Sequence, residues 1–501
     1  MSKDNFFKDS MTLTISNLAT GILGFMFSII LSRQLGAEGM GLYGLIMPIY
    51  NLFICLISGG MVAAISKVAA VYIVKNDYNN LNKSVKVCLA FDFIWGLIVV
   101  VFVFLGANFI STNIIKDERA LNSLKFICPA MIFVSFSSIL KGYFYGISKV
   151  QIPAIIDIFE KAIRIAVILL VIKIFSLNNI NSTVTAAYTA LTIGEFISLI
   201  LLYIYYKRNQ KKVAINSSIT EGRSQLLFNI LIISFPLCLN GFLTTILTTI
   251  STLIVPRRLI SAGFEYGTAL SMIGKFSGMA LNITFFPMLV IGSMITILIP
   301  NLSQSVSKKD YFALENRINQ VLQISLLLGI STLVICFTIP TSLGKLFYNR
   351  NDLGSYIKFA ALSAPLIFPA ITTYGILNGI GKQGILLRNS IIVSIIEVFL
   401  LYQLTGIPII NIYGFGITLI ITSFIGLMLN LHEIKKKCYL DFSFSNIMID
   451  ILLGILIFFV LNIINNLLPD SIFVMKNLII LILGFSLFFF AHLLLKNSKR
   501  T

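Results

Sequence analysis

The sequence has only two histidines, His432 and His492, and no glycine-rich loop ending in the lysine and hydroxyl pattern of a nucleotide-binding turn. Without a nucleophile, a base and an orienting group in any readable arrangement, no catalytic triad follows from the chain. Without a P-loop there is no built-in ATPase. Loops are short, which argues against a multispanning glycosyltransferase with a large outer domain. The six cysteines, Cys55, Cys88, Cys128, Cys238, Cys336 and Cys438, are dispersed, five of them inside apolar runs. They suggest neither a metal site nor a disulfide framework. Acidic residues are scarce, 20 against 38 Lys and Arg. With no soluble basic module, that excess reads as topology signals and attraction to anionic membrane lipids, and nucleic acid is excluded as a partner. Charged side chains of both signs make up 12% of the chain against 57% hydrophobic residues, with a mean hydropathy of +0.94. So little polar surface cannot clothe a soluble globule of this length; this is an integral membrane protein.

What is present is a set of long apolar runs, and half of the chain written again in the other half. Lys75, Asp77, Tyr78 and Leu81 recur, in the same order and spacing, as Lys308, Asp310, Tyr311 and Leu314. At the same constant offset Lys125 and Phe126 recur as Lys358 and Phe359, and Gly146, Ile147 and Lys149 as Gly379, Ile380 and Lys382. A duplicated membrane bundle is the layout in which a substrate site lies between related halves.

The first run, Met11–Leu31, is long enough to cross a hydrocarbon core and lacks a small-residue cleavage site, so it reads as a retained helix. Further runs lie near 41–73, 86–110, 121–146, 153–175 and 184–206, then, after a charged connector, near 227–255, 268–303, 319–347, 355–380, 384–405 and 410–432. Two last runs, 446–467 and 472–495, have no counterpart in the repeat. The expected fold is therefore all-α and polytopic, with 14 transmembrane helices in a 6+6+2 plan. The expected segments are an N-lobe at 1–206, a cytoplasmic connector at 207–226, a C-lobe at 227–434, and two extra helices with a basic tail at 435–501. An even number of crossings per repeat gives the two bundles the same orientation. Lys and Arg concentrate in the even-numbered connections and at both ends, which places both termini in the cytoplasm of a multi-pass cell-membrane protein. The runs 41–73 and 268–303 exceed the length of one span, and Gly59 and Gly60 in the first, and Gly274, Gly278, Pro287 and Gly292 in the second, mark expected bends.

Charges at membrane depth are costly unless they meet water, a partner or a substrate. The cations are Arg33, Lys67, Lys141, Lys161, Arg164, Arg257, Arg258 and Lys275; the acids are Asp92, Asp157, Glu160, Glu195, Glu265 and Glu397. Asp157 with Lys161 and Glu160 with Arg164 are i,i+4 pairs, expected to form an interlobe charge cluster. Arg33, Arg257 and Arg258 end the first helix of each repeat, either snorkelling to headgroups or flanking a shared cavity. Lys67 and Lys275 have no acid three or four residues away. Arg33, Lys67, Arg257, Arg258 and Lys275 are thus the candidate substrate-binding set, suited to a phosphate. For Asp92, Glu195 and Glu397 two roles stay open, Na+ or H+ coupling and counter-ion to the basic residues; no other cofactor is expected.

The segment Thr14–Leu31, its continuation from Ser32 and Arg33 through Gly36, Glu38, Gly39 and Gly41 to Tyr43, the stretch Gly59–Lys67, and KGYFYGISKVQIP from Lys141 to Pro153 carry a family resemblance. Over nearly its whole length the chain resembles the polysaccharide transport branch of the multidrug/oligosaccharidyl-lipid/polysaccharide (MOP) exporter superfamily. The resemblance implies fourteen helices in two lobes that rock about a central cavity, with an undecaprenyl-pyrophosphate-linked saccharide moved outward. For sporulation members of the branch the implied cargo is a peptidoglycan precursor for spore cortex, and envelope or cortex synthesis proteins are the implied partners. It also implies basic residues lining the cavity, at the general location of Arg33 and Arg257, and a lipid-tail groove formed by the two extra helices. Two alternatives stand beside it: a cation-coupled multidrug exporter of the same superfamily using Asp92, Glu195 or Glu397, and a non-transporting scaffold for envelope synthesis.

Overall fold

The computed structural model describes residues 3–175, 179–210, 221–438 and 444–498, and among them there is no strand. Hydrocarbon offers a backbone amide no partner, so a chain this apolar satisfies its amides within helices. In chain order these are α1 Lys3–Ser58, α2 Met61–Val74, α3 Tyr78–Phe109, α4 Ala120–Gly146, α5 Gln151–Phe175, α6 Ile180–Gln210, α7 Arg223–Ser261, α8 Tyr266–Ile273 and α9 Leu281–Phe285. They continue with α10 Met288–Ser307, α11 Tyr311–Thr338, α12 Pro340–Tyr348, α13 Gly354–Ala361, α14 Ala364–Gly379, α15 Gln383–Leu404, α16 Tyr413–Lys435, α17 Phe444–Leu467 and α18 Phe473–Ser498. Of the expected connector, residues 211–220 lie outside the described residues, as do 439–443 and 499–501 of the C-terminal segment.

Ten helical stretches among the described residues are long and apolar enough to span a membrane, or twelve when each of two bent pairs counts as one. A count of fourteen needs two more divisions. The 64-residue stretch Met11–Val74 would be cut near Gly36, where φ 68° and ψ −172° leave the helix. The other addition is α5, which Asp157, Glu160, Lys161 and Arg164 make too polar to qualify by composition. The expected gap between 32 and 41 is bridged by continuous helix apart from Gly36. The break expected at Gly59 and Gly60 does separate α1 from α2, with Gly60 left-handed at φ 76°. In the run 268–303, Gly274 and Gly278 fall in a π-helical segment, Gly274–Ala280, and the helices on either side of Phe286 and Pro287 meet at 58°. Proline lacks the amide that would continue the ladder. Gly292 lies inside an uninterrupted α10.

The chain packs as two compact units, Met1–Leu35 with Leu42–Leu253, and Gly36–Gly41 with Ile254–Thr501. Packing therefore divides the chain differently from the repeat. In the first unit, Leu226 and Ile230 of α7 join Met61, Ile65, Leu81, Val85 and Tyr143 in one buried apolar cluster. In the second, Gly274 lies so close to the Ala37 carbonyl that a Cβ there would stand 1.8 Å from its oxygen, which ties Gly36–Gly41 to this unit. Its core gathers Leu298, Leu302, Leu314, Ile318, Ile376 and Leu427, with α17 and α18 laid against α11.

The repeat is visible in the backbone. Left-handed residues Asn76, Lys116 and Ser148 have left-handed counterparts, at the offset of the sequence repeat, in Lys309, Asn349 and Gly381. Asp77 accepts the Asn80 amide at 3.0 Å to cap α3, and Asp310 accepts the Ala313 amide at 3.0 Å to cap α11. Two Gly-x-x-x-Gly pairs recur in register as well: Gly142 and Gly146 press on Val62 and Ser66 of α2, while Gly375 and Gly379 press on Ile295 and Ile299 of α10. Small residues at this spacing let membrane helices approach closely.

Candidate functional site

The first unit holds a buried ion network between α4, α5 and α6. Arg164 bonds Glu160 on its own helix and Glu195 of α6 at 3.2 Å, with side-chain exposures of 9% for Arg164 and 5% for Glu160. Lys161 pairs with Glu160 at 2.8 Å, and Lys141 of α4 with Asp157 at 2.7 Å. The expected Glu160–Arg164 pair forms. The expected Asp157–Lys161 pair does not, because Lys161 turns to Glu160 and a lysine from the neighbouring helix meets Asp157. All six residues lie within the first unit. Glu195 thus meets a cation of its own unit.

Asp92 is different. Its exposure is zero, and both carboxyl oxygens lack a hydrogen-bond partner. Ser84 and Cys88, two turns and one turn earlier on α3, are buried on the same face.

The five candidate phosphate ligands are not alike. In the first unit Arg33 and Lys67 are exposed, and Lys67 makes no ion pair among the described residues. In the second unit Arg257 is exposed, whereas Arg258 is committed: its guanidinium lies 4.1 Å from the Tyr402 ring centroid and donates to the Tyr402 carbonyl at 2.7 Å. Arg258 thus satisfies an acceptor at the end of α15. Lys275, in the π-helical segment, bridges to Asp352 at 2.8 Å, and Arg350 chelates that same carboxylate at 2.8 and 2.7 Å. The hydrogen bonds from Arg350, then those from Lys275, hold Asp352 well below the usual carboxylate range. A search of neighbours three and four residues away missed Asp352, which is remote in sequence. The repeat carried a signal for it: Arg350 and Asp352 occupy the positions of Asp117 and Arg119 in the first copy, an ion pair of reversed polarity at 2.9 Å.

Glu397 lines a cavity of about 410 Å³ among α14, α15 and α16, with Tyr374, Asn389, Ser390, Thr422 and Asn430. Asn389 donates to Asn430 at 2.9 Å, and Asn430 to Thr373 at 3.1 Å. Sequence reading named Glu397 but not these amides. A second cavity of the same unit, about 630 Å³, is almost wholly apolar and lies between α10, α11 and α18, lined among others by Pro287, Leu327, Leu328, Phe485 and Phe489.

Comparison with known proteins places this architecture. The family model described as "Polysaccharide biosynthesis protein" matches residues 6–306. Stage V sporulation protein B of Bacillus subtilis (strain 168) is 25% identical over 424 residues, 84% of this chain and 82% of that protein. Lipid II flippase MurJ of the same organism is 24% identical over 78% of this chain and 76% of that protein. A solved structure of lipid II flippase MurJ in an inward closed conformation matches with a TM-score of 0.72 and 15% identity, covering 97% of this chain and 100% of that one. The chain belongs to the polysaccharide biosynthesis protein family, and its fold is that of the solved MOP superfamily transporter and MurJ structures it resembles.

Proposed function

We propose that the protein is an alternating-access lipid flippase that carries an undecaprenyl-pyrophosphate-linked saccharide, a peptidoglycan precursor for spore cortex, to the outer leaflet. The observation that carries this reading is that three basic residues of the candidate set stay exposed. Asp157, Glu160 and Glu195 are held by cations of their own unit and Asp92 is sealed from water, while Arg33, Lys67 and Arg257 keep exposed side chains. Exposed cations offer charge-assisted hydrogen bonds to pyrophosphate oxygens and repel a cationic drug. In the second unit Lys275 becomes available when a phosphate competes with Asp352 for its ammonium group. The apolar cavity beside α18 suits a polyprenyl tail. The excess of Lys and Arg in the even connections puts both termini in the cytoplasm, where proteins of cortex synthesis would meet the carrier.

The test is binding of purified protein to an undecaprenyl-pyrophosphate disaccharide, to the dephosphorylated lipid and to a lipophilic cation. Wild type is compared with a variant carrying Arg33→Ala, Lys67→Ala, Arg257→Ala and Lys275→Ala. Binding that requires pyrophosphate and is lost in the variant supports the reading; equal binding by both proteins rejects this site. A second reading, a cation-coupled exporter, draws on Glu397 in the wall of a polar cavity. Its signature is ion-dependent efflux of the lipophilic cation, lost in Glu397→Gln and unaffected by the four alanines.

A further inference from the structure

The acid that the ion network leaves out is Asp92. It has no exposed surface, and neither carboxyl oxygen has a hydrogen-bond partner; the buried hydroxyls of Ser84 on the same helix and Ser137 on α4 are also unpaired. Among the described residues no hydrogen bond reaches its carboxyl group, and the α1 residues that meet α3 one turn on, Leu56 and Ile57, are apolar. On α3 itself Lys83 is taken by the Glu221 carbonyl and Lys86 is exposed, leaving Cys88 as the titratable side chain on Asp92's face. On α4, Lys125 lies over the Phe104 ring and Lys141 is bound to Asp157; on α2, Lys67 is exposed. A carboxylate so placed is among the costliest side chains to hold at membrane depth, whereas the neutral acid is far less so.

The fold does not require an acid here. At the corresponding position of the second repeat stands Ser325, equally buried, with its hydroxyl bonded to the Leu322 carbonyl at 2.7 Å. Asp92 also lies near a break between two helices. One turn further along the same face, Gly96 packs on Ile57, and the neighbouring Trp95 indole donates to the Leu56 carbonyl at 3.2 Å, just before the Gly59–Gly60 break between α1 and α2.

We propose that Asp92 is the proton-binding residue of this transporter: it carries a proton while this face of α3 is sealed, and releases it to water when the Gly59–Gly60 break moves and opens the face. The step is the simplest acid dissociation, carboxylic acid to carboxylate plus a hydrated proton, with no other bond made or broken. It rests on the transporter reading above and names the coupling ion and its carrier.

Two measurements test it. Infrared difference spectra of purified wild type against Asp92→Asn, at neutral pH, should show the carbonyl stretch of a protonated carboxylic acid that is absent from the variant. Absence of that band in wild type overturns the proposal, and so does a band replaced by a carboxylate signal on adding Na+ at constant pH, which would make Asp92 a cation ligand. In proteoliposomes, a pH gradient should drive accumulation of a fluorescent undecaprenyl-pyrophosphate disaccharide in one leaflet. That response is lost in Asp92→Asn and in Asp92→Ser, the residue of the second repeat, and kept with a shifted pH profile in Asp92→Glu. A gradient response unchanged in both neutral variants rejects the proton role. Should wild type move no such lipid while the infrared band is present, the cargo assignment fails and the proton site stands.

Discussion

The α4–α5–α6 corner of the first unit and the α14–α15–α16 corner of the second are built on one backbone plan and filled in opposite ways. Lys141, Asp157, Glu160 and Arg164 are answered at the repeat offset by Tyr374, Ser390, Val393 and Glu397. In the first unit the four form two ion pairs, Lys141 with Asp157, partly exposed, and Glu160 with Arg164, buried. In the second the same four positions line a cavity of about 410 Å³. The turns before α4 and α13 differ in the same manner: Asp117 holds Arg119 in one, Arg350 holds Asp352 in the other, and Asp352 also holds Lys275. Duplication preserved where the helices touch and left free which charges stand behind the contacts. One corner is filled by ion pairs, and the other keeps room.

The largest effect should come from emptying the filled corner. Arg164→Ala leaves Glu160 and Glu195 buried without their shared cation, a loss of about 3–5 kcal/mol. Glu397→Gln, at the hollow counterpart, should cost under about 1 kcal/mol, the scale of substitutions away from buried networks. Thermal unfolding of the two variants in detergent checks this, and equal losses would break the comparison.

Next come the shared helix contacts. A Cβ on Gly142 would stand 2.8 Å from the Val62 backbone oxygen, whereas one on Gly375 would meet only the Ile295 side chain, at 2.7 Å. A backbone cannot step aside and an isoleucine can partly rotate, so Gly142→Ala should cost about 2–3 kcal/mol and Gly375→Ala about 1. The same unfolding measurement applies, and a reversed order would show that the second unit is the stiffer.

Asp77→Ala should cost more than Asp310→Ala, whose lost capping bond is worth about 1 kcal/mol, since Asp77 makes a capping bond of the same length and also accepts the Asn80 side-chain amide at 2.7 Å. Protection against hydrogen exchange should fall further at the Asn80 amide than at the Ala313 amide.

The smallest effect concerns the Lys275–Asp352 bridge, whose carboxylate is 43% exposed. Because folding lowers the Asp352 pKa, its contribution is fully present above the ordinary aspartate range and is lost only as pH falls through the lowered folded value. Between pH 5 and pH 8 the melting temperature of Asp352→Asn should therefore differ from wild type by a small constant amount. A difference that grows steadily with pH across that window would show that another group controls the bridge.

Several of these features could be read before any coordinates. The echo of Asp77 in Asp310 marked two helix starts that proved to be capped alike. Gly59, Gly60 and Pro287 marked breaks because glycine and proline act through the local backbone. Partnerships across helices were not legible. Asp157 has an i,i+4 lysine on its own helix, yet it binds Lys141, since the choice depends on which face of α4 is turned toward α5. Lys275 looked isolated because its partner, Asp352, enters from a loop several helices further along the chain. Arg258 looked like a ligand-binding twin of Arg257 until Tyr402 was found beneath it.

By itself the sequence determined the class of the protein, an all-helical membrane bundle with an internal repeat, the bends at Gly59–Gly60 and Pro287, and the residues that pay for being charged in hydrocarbon. These follow from composition, period and local backbone chemistry, which act over a few residues. Only the tertiary structure decided which charges are neutralised, that Gly36–Gly41 packs with the second unit and the first part of α7 with the first, and that Asp92 is left without a partner. Those outcomes depend on how helices distant in sequence are rotated and paired, and no local pattern encodes that.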